Sequence, residues 1–396
     1  MRVVIVGAGQ AGAAVAARLR ALGHEGDVIL IGGETAPPYQ RPPLSKAYLL
    51  GDMSEERLWL RAPGFWAENK IDLRLGRPVT AIDPAVKNIT LAGEPIFYDQ
   101  LVLATGSMPR QLPADRGGDL DGIYTLRTLA DIDRIKPEFV PGKHLVVVGG
   151  GYIGLEAAAV ARKLGLDVTL LEASSRILGR VASPHTSEFV RDLHREKGVK
   201  VLEGTSLQVM RRDLAGIMLE LSDGRELRAH FVIVGVGIVP CTDLAESAGL
   251  RLENGIATDD MGRTSDPSIW AAGDCSSFPW KGRRIRLESV GNAIDQAEVV
   301  AANLLGAQQR YVAQPWFWSD QYDLKLQIAG LNGGYDHVVV RTEGGRSVWY
   351  YRENELLAVD ALGDARAYMV GKRLIESGKS PAPDEIRSTR DLKVLL

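Results

Sequence analysis

Two glycine triplets carry the clearest chemistry in this chain. Gly7-Ala8-Gly9-Gln10-Ala11-Gly12 and Gly149-Gly150-Gly151-Tyr152-Ile153-Gly154 both read G-x-G-x-x-G. Glycine at those three places lets the backbone turn sharply and lets a pyrophosphate come close. A helix starting there also offers unpaired N–H groups and the positive end of its dipole to the phosphates. An acidic residue follows each triplet at the distance where a carboxylate accepts hydrogen bonds from ribose hydroxyls: Glu34 after Gly12, and Glu172 after Gly154. Two dinucleotide sites follow. Glu172 runs into Ala173-Ser174-Ser175 without an adjacent base, and a carboxylate repels a 2′-phosphate, so the second site is expected to prefer NAD to NADP. Arg176 is the residue that could turn toward such a phosphate.

The elements needed to position these loops can be read around them. Val3–Val6 is an apolar run before the first loop, the segment from Ala13 to Arg20 has helical spacing, Gly23 stops it, and Asp27–Ile31 is a second strand. The pattern returns with strand Leu145–Val148, a helix over Leu155–Leu164, Gly165, and strand Asp167–Glu172. Each unit later sends back an apolar strand ending in small residues: Leu101-Val102-Leu103-Ala104-Thr105-Gly106, and Phe231 to Gly237. A third such strand, Ile269 to Asp274, arrives after the second unit has closed, so the second domain is inserted into the first. A ligand read from both the first strand and this late one must be long, as FAD is, and Asp274 offers it a carboxylate. From Asp320 onward the chain alternates, with strands at Lys325–Ile328, His337–Val340, Val348–Tyr351 and Leu356–Val359 and a helix over Ala365–Glu376.

The expected fold is therefore α/β: two Rossmann-like dinucleotide-binding domains, the second inserted in the first, plus a small C-terminal α+β domain. The expected boundaries are 1–108 and 241–318 for the FAD-binding domain, 109–240 for the NAD-binding domain, and 319–396 for the last. The 396 residues suffice for several cores. With 47 Lys plus Arg against 50 Asp plus Glu, the net charge of −3 excludes a globally basic nucleic-acid or membrane-surface binder. Two cysteines, Cys241 and Cys275, exclude a disulfide scaffold, a C-x-x-C redox pair, and a metal or iron–sulfur site built on several thiolates. No metal is expected. Met1 leads straight into strand-like residues and no long uncharged apolar run occurs, so a cytoplasmic setting is expected.

Four segments carry a family resemblance across nearly the whole chain: Arg41-Pro42-Pro43-Leu44-Ser45-Lys46-Ala47-Tyr48-Leu49, Leu103–Gly106, Gly149–Glu156 and Pro315-Trp316-Phe317-Trp318-Ser319-Asp320-Gln321. They resemble the FAD-containing, NADH-dependent ferredoxin reductases that serve bacterial oxygenases, the putidaredoxin reductase family within the glutathione-reductase-like flavoproteins. The resemblance implies FAD contacts at Ala11, Lys46, Val79, Arg127, Asp274 and Val290, beside the loop glycines and Arg41. Where some relatives carry Asp after the glycine of the second strand, this chain has Gly33 followed by Glu34. Either Glu34 takes the ribose or Gly33 gives only backbone contacts. The resemblance further implies Lys46 and Glu156 as a charge pair at the flavin edge, where a cation stabilises negative charge on the ring. It places Trp318 beside the isoalloxazine, Glu288 on the nicotinamide carboxamide and Tyr152 over the nicotinamide ring.

Disulfide reductases of the superfamily carry thiols soon after the first βαβ unit, where this chain reads Pro37-Pro38-Tyr39-Gln40-Arg41-Pro42-Pro43. Electrons must then leave for an external one-electron carrier, expected to be an acidic 2Fe-2S ferredoxin docking transiently on a basic patch such as Lys281-Gly282-Arg283-Arg284-Ile285-Arg286, with Arg310 and Lys325 as further candidates. A rubredoxin reductase shares every cofactor motif. An NADH-sensing flavoprotein scaffold is the reading from another class. Monomer and homodimer both fit.

Overall fold

The computed structural model describes all of residues 1–396, which divide into two compact units: 1–41, 54–108 and 238–315 form one, and 42–53, 109–237 and 316–396 the other. The second unit is thus an insertion that also gathers the Pro42–Met53 segment and the C-terminal residues. The expected divisions at 240/241 and 318/319 move by a few residues. The second of them would cut the strand Trp316–Gln321, whose hydrogen bonds to Leu324–Gly330 run its full length.

The first unit is built on a five-stranded parallel sheet in the order Ile269–Ala271, Gln100–Leu103, Val3–Val6, Val28–Ile31, Ile71–Arg74. Val3–Val6 and Val28–Ile31 are buried on both faces, which is why they read as continuous apolar runs rather than alternating ones. On one face the helices Gln10–Ala21 and Val290–Leu304 pack through Ala13, Ala16, Ala293 and Ala297 around Trp270 and Trp66. The other face is closed by Ile82, Ile89 and Leu91 of a three-stranded antiparallel excursion, Val79–Asp83, Asn88–Leu91 and Glu94–Phe97.

The second unit repeats the plan in the order Val199–Glu203, Asp167–Glu172, His144–Val148, Phe231–Val234, Ile123–Tyr124, all parallel. A five-stranded antiparallel sheet follows, in the order Trp316–Gln321, Leu324–Gly330, Glu355–Leu362, Arg346–Arg352, His337–Arg341, with helix Ala365–Ser377 packed on it. No helix is long and apolar enough to cross a membrane.

Helix Pro184–Glu196 is pinned to that antiparallel sheet by buried polar groups. Asp360, fully buried on the central strand, accepts from the Thr186 hydroxyl at 2.7 Å and from the Tyr350 hydroxyl, which in turn accepts from the Ser183 amide at 3.0 Å. The second oxygen of Asp360 has no partner. Burial pushes its carboxyl up from 3.8 to about 6, against the pull of Tyr350 and Thr186. At the far end of the helix His194 is buried and held down at about 4, because burial disfavours its charged form.

These two groups act on stability in opposite directions. The folded chain holds a proton on Asp360 that the unfolded chain releases, so its contribution is present below pH 3.8 and is lost as the pH rises to about 6. That of His194 is present above 6.5 and lost as the pH falls toward 4. Asp360→Asn should therefore remove a loss of at most about 3 kcal/mol between pH 4 and 6, at about 1.4 kcal/mol per pH unit. Denaturant titrations across that window would show the variant gaining stability with pH relative to the parent. Parallel curves would overturn the assignment.

Candidate functional site

The two glycine loops have the same geometry. Gly7 and Gly149 each take φ +113°, a backbone conformation that residues with a Cβ rarely adopt. A Cβ on Gly7 would lie 2.1 Å from the Ala104 carbonyl oxygen, and one on Gly149 would lie 2.3 Å from that of Gly235. The third glycines seal the loops: a Cβ on Gly12 or Gly154 would meet the carbonyl of Gly7 or Gly149 at 1.8 and 2.1 Å. Gly9 and Gly151, by contrast, have no atom within 4 Å of where a Cβ would stand, and both start their helices without a side-chain cap. The first-turn N–H groups are therefore left to an incoming acceptor, which is the fit a dinucleotide pyrophosphate requires. Tyr152 and Ile153 open the second helix, and the Tyr152 ring lies 4.8 Å from that of Phe317.

In the first unit the structure gathers several of the expected residues at the carboxyl ends of the parallel strands. A Cβ on Gly273 would stand 2.9 Å from that of Ala11, so the late strand brings Asp274 to the first loop. Asp274 accepts from the Ser107 hydroxyl at 2.9 Å, just past Ala104, Thr105 and Gly106, and Thr105 is tied to the Cys241 carbonyl at 2.7 Å. Arg286 donates to the Asp274 carbonyl at 3.2 Å and pairs with Glu288 at 2.5 Å. Val290 begins the next helix, capped by Ser289. Glu34 accepts from Tyr39 and from Arg41, both at 2.6 Å. Gly33 takes no left-handed conformation, and a Cβ there would make only ordinary contact with Pro78, the neighbour of Val79. The constrained glycine is Gly32, where a Cβ would lie 2.8 Å from that of Ala8.

The basic run 281–286 does not form one surface. It lies in a hairpin whose residues alternate sides. Arg284 turns inward to the Thr258 and Ser277 carbonyls at 2.9 and 2.6 Å, and Arg286 is engaged as above. Lys281 and Arg283 lie against the Trp280 ring.

In the second unit Glu172 ends its strand with one oxygen accepting from the Gly150 amide at 2.8 Å and the other from the Ser174 amide at 2.7 Å, so it braces the loop that it follows. Arg176 is held by the carbonyls of Ala182 and Gly179 and by the Ser187 hydroxyl. Gly237 lies beyond the returning strand Phe231–Val234, with its carbonyl accepting from the Arg110 amide. Arg127 precedes the Thr128 cap of helix Leu129–Ile135, its amide donating to Asp131.

The Lys46–Glu156 pair is formed, with Nζ 3.0 Å from Oε1. Lys46 departs from helical angles within its short turn (φ −129°, ψ −109°), and Tyr48 anchors the segment by donating to Asp133 at 2.8 Å. Glu156 is buried in helix Tyr152–Lys163, with a side chain 7% exposed against 15% for Lys46. Two hydroxyls that sequence reasoning did not single out complete its shell: Ser45 donates to Oε2 at 2.9 Å and Ser319 to Oε1 at 2.7 Å. Both lie inside segments that carry the family resemblance, next to Lys46 and Trp318, and that is the signal the sequence holds for them. Lys46 also meets Asp320 at 3.4 Å and faces the Trp318 ring at 5.6 Å, and Trp318 stacks on Trp316. Burial raises the Glu156 carboxyl above the usual range, opposed by Lys46, Ser319 and Ser45. Lys46→Met leaves that buried carboxylate without its cation and should destabilise the protein by roughly 3 kcal/mol at pH 8. The loss should shrink toward pH 5, because a carboxyl raised by burial takes up its proton more readily as the pH falls. Unfolding titrations at the two pH values check this, and a loss independent of pH would overturn it.

The fold and these sites can be set beside known proteins. The family model for pyridine nucleotide-disulphide oxidoreductases matches residues 1–297, and that for the reductase C-terminal domain matches 316–396. The chain is 43% identical over 386 residues to putidaredoxin reductase of Pseudomonas putida, covering 94% of this chain and 91% of that one. Its structure is similar to that of putidaredoxin reductase in the covalent putidaredoxin reductase–putidaredoxin complex, with TM-score 0.96 and 41% identity over 100% of this chain and 97% of the other. It is likewise similar to the ferredoxin reductase of the CYP199A2 system from Rhodopseudomonas palustris, with TM-score 0.96 and 38% identity over 99% of each chain. With these matches spanning both of its units, the chain belongs to the pyridine nucleotide-disulphide oxidoreductase family, in its putidaredoxin reductase-like branch.

Proposed function

We propose that this chain is an NADH-dependent flavoprotein reductase that passes electrons through FAD, one at a time, to a 2Fe-2S ferredoxin supplying an oxygenase, a haem monooxygenase or a ring-hydroxylating dioxygenase. One observation carries the reading: the same phosphate cradle is built twice, once in each unit, in a chain whose relatives are ferredoxin reductases. FAD, when bound, supplies what no side chain here can, accepting electrons as a pair and releasing them singly.

The protein's own part is to bind, orient and set charge. The Gly7–Gly12 loop, Ala11, Glu34, Arg41, Val79, Arg127, Asp274 and Val290 would hold FAD. The Gly149–Gly154 loop, Glu172, Gly237 and Glu288 would hold NADH, with Tyr152 over the nicotinamide. Lys46, fixed by Glu156, would present positive charge to the reducible ring, with Trp318 lining it. Cys275 is buried against the Leu103 and Ala272 carbonyls, and burial raises its thiol away from the reactive thiolate, so electron transfer does not run through it. The setting proposed is cytoplasmic.

Preference for NADH follows from the second loop. A 2′-phosphate would approach the Glu172 carboxylate, while Arg176 is already bound to its own segment. Stopped-flow bleaching of the bound flavin should be at least about tenfold more efficient with NADH than with NADPH, a difference of about 1.4 kcal/mol. Glu172→Ala should narrow that ratio. A 2Fe-2S ferredoxin should then reoxidise the flavin rapidly. Reoxidation by rubredoxin alone would make this a rubredoxin reductase, and a long-lived reduced form with every carrier would make it a scaffold.

A further inference from the structure

A line of hydrogen bonds leads away from Glu156 through residues the proposed reaction does not use. Ser319 donates to Glu156 Oε1 at 2.7 Å, and Gln321 Nε2 donates to Ser319 Oγ at 3.1 Å. Gln321 Oε1 lies 2.8 Å from His194 Nε2, and His194 Nδ1 lies 3.3 Å from the Tyr322 hydroxyl. Ser319, Gln321 and His194 are fully buried.

Chemistry fixes the direction of every link. An amide oxygen only accepts, so His194 Nε2 carries the proton. The ring is neutral, because burial holds it far below its ordinary value, so Nδ1 is bare and Tyr322 is the donor. The line therefore runs one way, from Tyr322 to His194 to Gln321 to Ser319 to Glu156, and it ends on the same oxygen that meets Lys46. The Gln321 amide makes it a poor path for protons, and its use is orientation.

The local backbone is shaped for this arrangement. Tyr322 occupies the first place of the two-residue turn joining Trp316–Gln321 to Leu324–Gly330 and has φ +56°. That conformation favours Gly or Asn and is unfavourable for a residue such as tyrosine. It sets the Tyr322 ring 5.1 Å from the His194 ring.

We infer that Ser319, Gln321 and His194 are positioning residues for Glu156: their one-way hydrogen-bond line holds the Ser319 hydroxyl as a donor to the carboxylate and so keeps it charged against Lys46. The effect on Glu156 stands on the geometry alone, and its consequence for the flavin rests on the function proposed above. Lys46 and, behind it, Asp320 are the charged groups at Glu156; Arg162 and Lys163 are those at Tyr322.

The test is an infrared pH titration of the FAD-loaded protein, with the Glu156 carboxyl band assigned by its loss in Glu156→Gln. In His194→Phe nothing holds the Gln321 oxygen away from Ser319, so the amide can turn over and its oxygen then competes for the Ser319 proton. The Glu156 midpoint should then rise by about one pH unit, the effect of one hydrogen bond lost to a charged acceptor. His194→Gln, which restores a donor, should return the midpoint. In a Ser319→Ala background, His194→Phe should add nothing. An unmoved midpoint in His194→Phe, or a shift that persists without Ser319, would overturn the inference. Should His194→Phe not fold, nitrogen-15 NMR of the unaltered holoprotein decides: His194 should be neutral with its proton on Nε2, and the other tautomer or a charged ring overturns the proposal. Flavin bleaching by NADH, measured in parallel, separates the outcomes, since normal bleaching with an unmoved midpoint rejects this line only, and absent bleaching in the parent rejects the function.

Discussion

A carboxylate taken out of water is several kcal/mol less stable unless its charge and lone pairs are met. Glu156 is such a group, and side chains from two other segments of the second unit satisfy it. Lys46 answers its charge and Ser45 and Ser319 answer its lone pairs, the first two from the Pro42–Met53 segment and Ser319 from the strand Trp316–Gln321. The Pro42–Met53 segment therefore groups with the inserted unit rather than with the sheet that precedes it. The same need explains why the buried positions of Trp316–Gln321, a strand that opens on three aromatic residues, are Ser319 and Gln321. Helix Pro184–Glu196 meets this sheet through a buried polar contact at each end, Asp360 with Thr186 and Gln321 with His194. Such contacts fix one relative placement more strictly than apolar packing does, since a small shift leaves a buried polar group unpaired.

The loops obey a different constraint. A parallel sheet ends all its strands on one edge, and each helix that follows begins at that edge. In both units the first glycine must let a neighbouring strand's carbonyl pass within about 2 Å of where a side chain would begin, and the third must let the helix close on the loop. The identical φ of Gly7 and Gly149 shows one solution used twice.

Much of this was legible in the residues. The doubled strand–loop–helix pattern, the insertion, the antiparallel end and the charge pair all follow from periodicity, glycine spacing and family likeness. The neighbours that give the pair its surroundings were not legible. Ser45, Ser319, Gln321 and His194 are ordinary residue types, and Gln321 and His194 are 127 positions apart. The basic run 281–286 misled for the opposite reason: a cluster of charges in sequence reads as a patch, whereas a strand sends its residues to alternate sides. At the second strand the open choice between Gly33 and Glu34 hid the glycine that the fold constrains, Gly32.

Local sequence by itself determined the elements and the phosphate-binding turns, because helix and strand periods, glycine conformations and helix starts depend on residues a few positions apart. Only the tertiary structure decided which polar atoms meet inside the protein. Burial, ion pairing and the direction of a hydrogen-bond line depend on groups brought together from distant segments, and no local pattern encodes their distance or their desolvation.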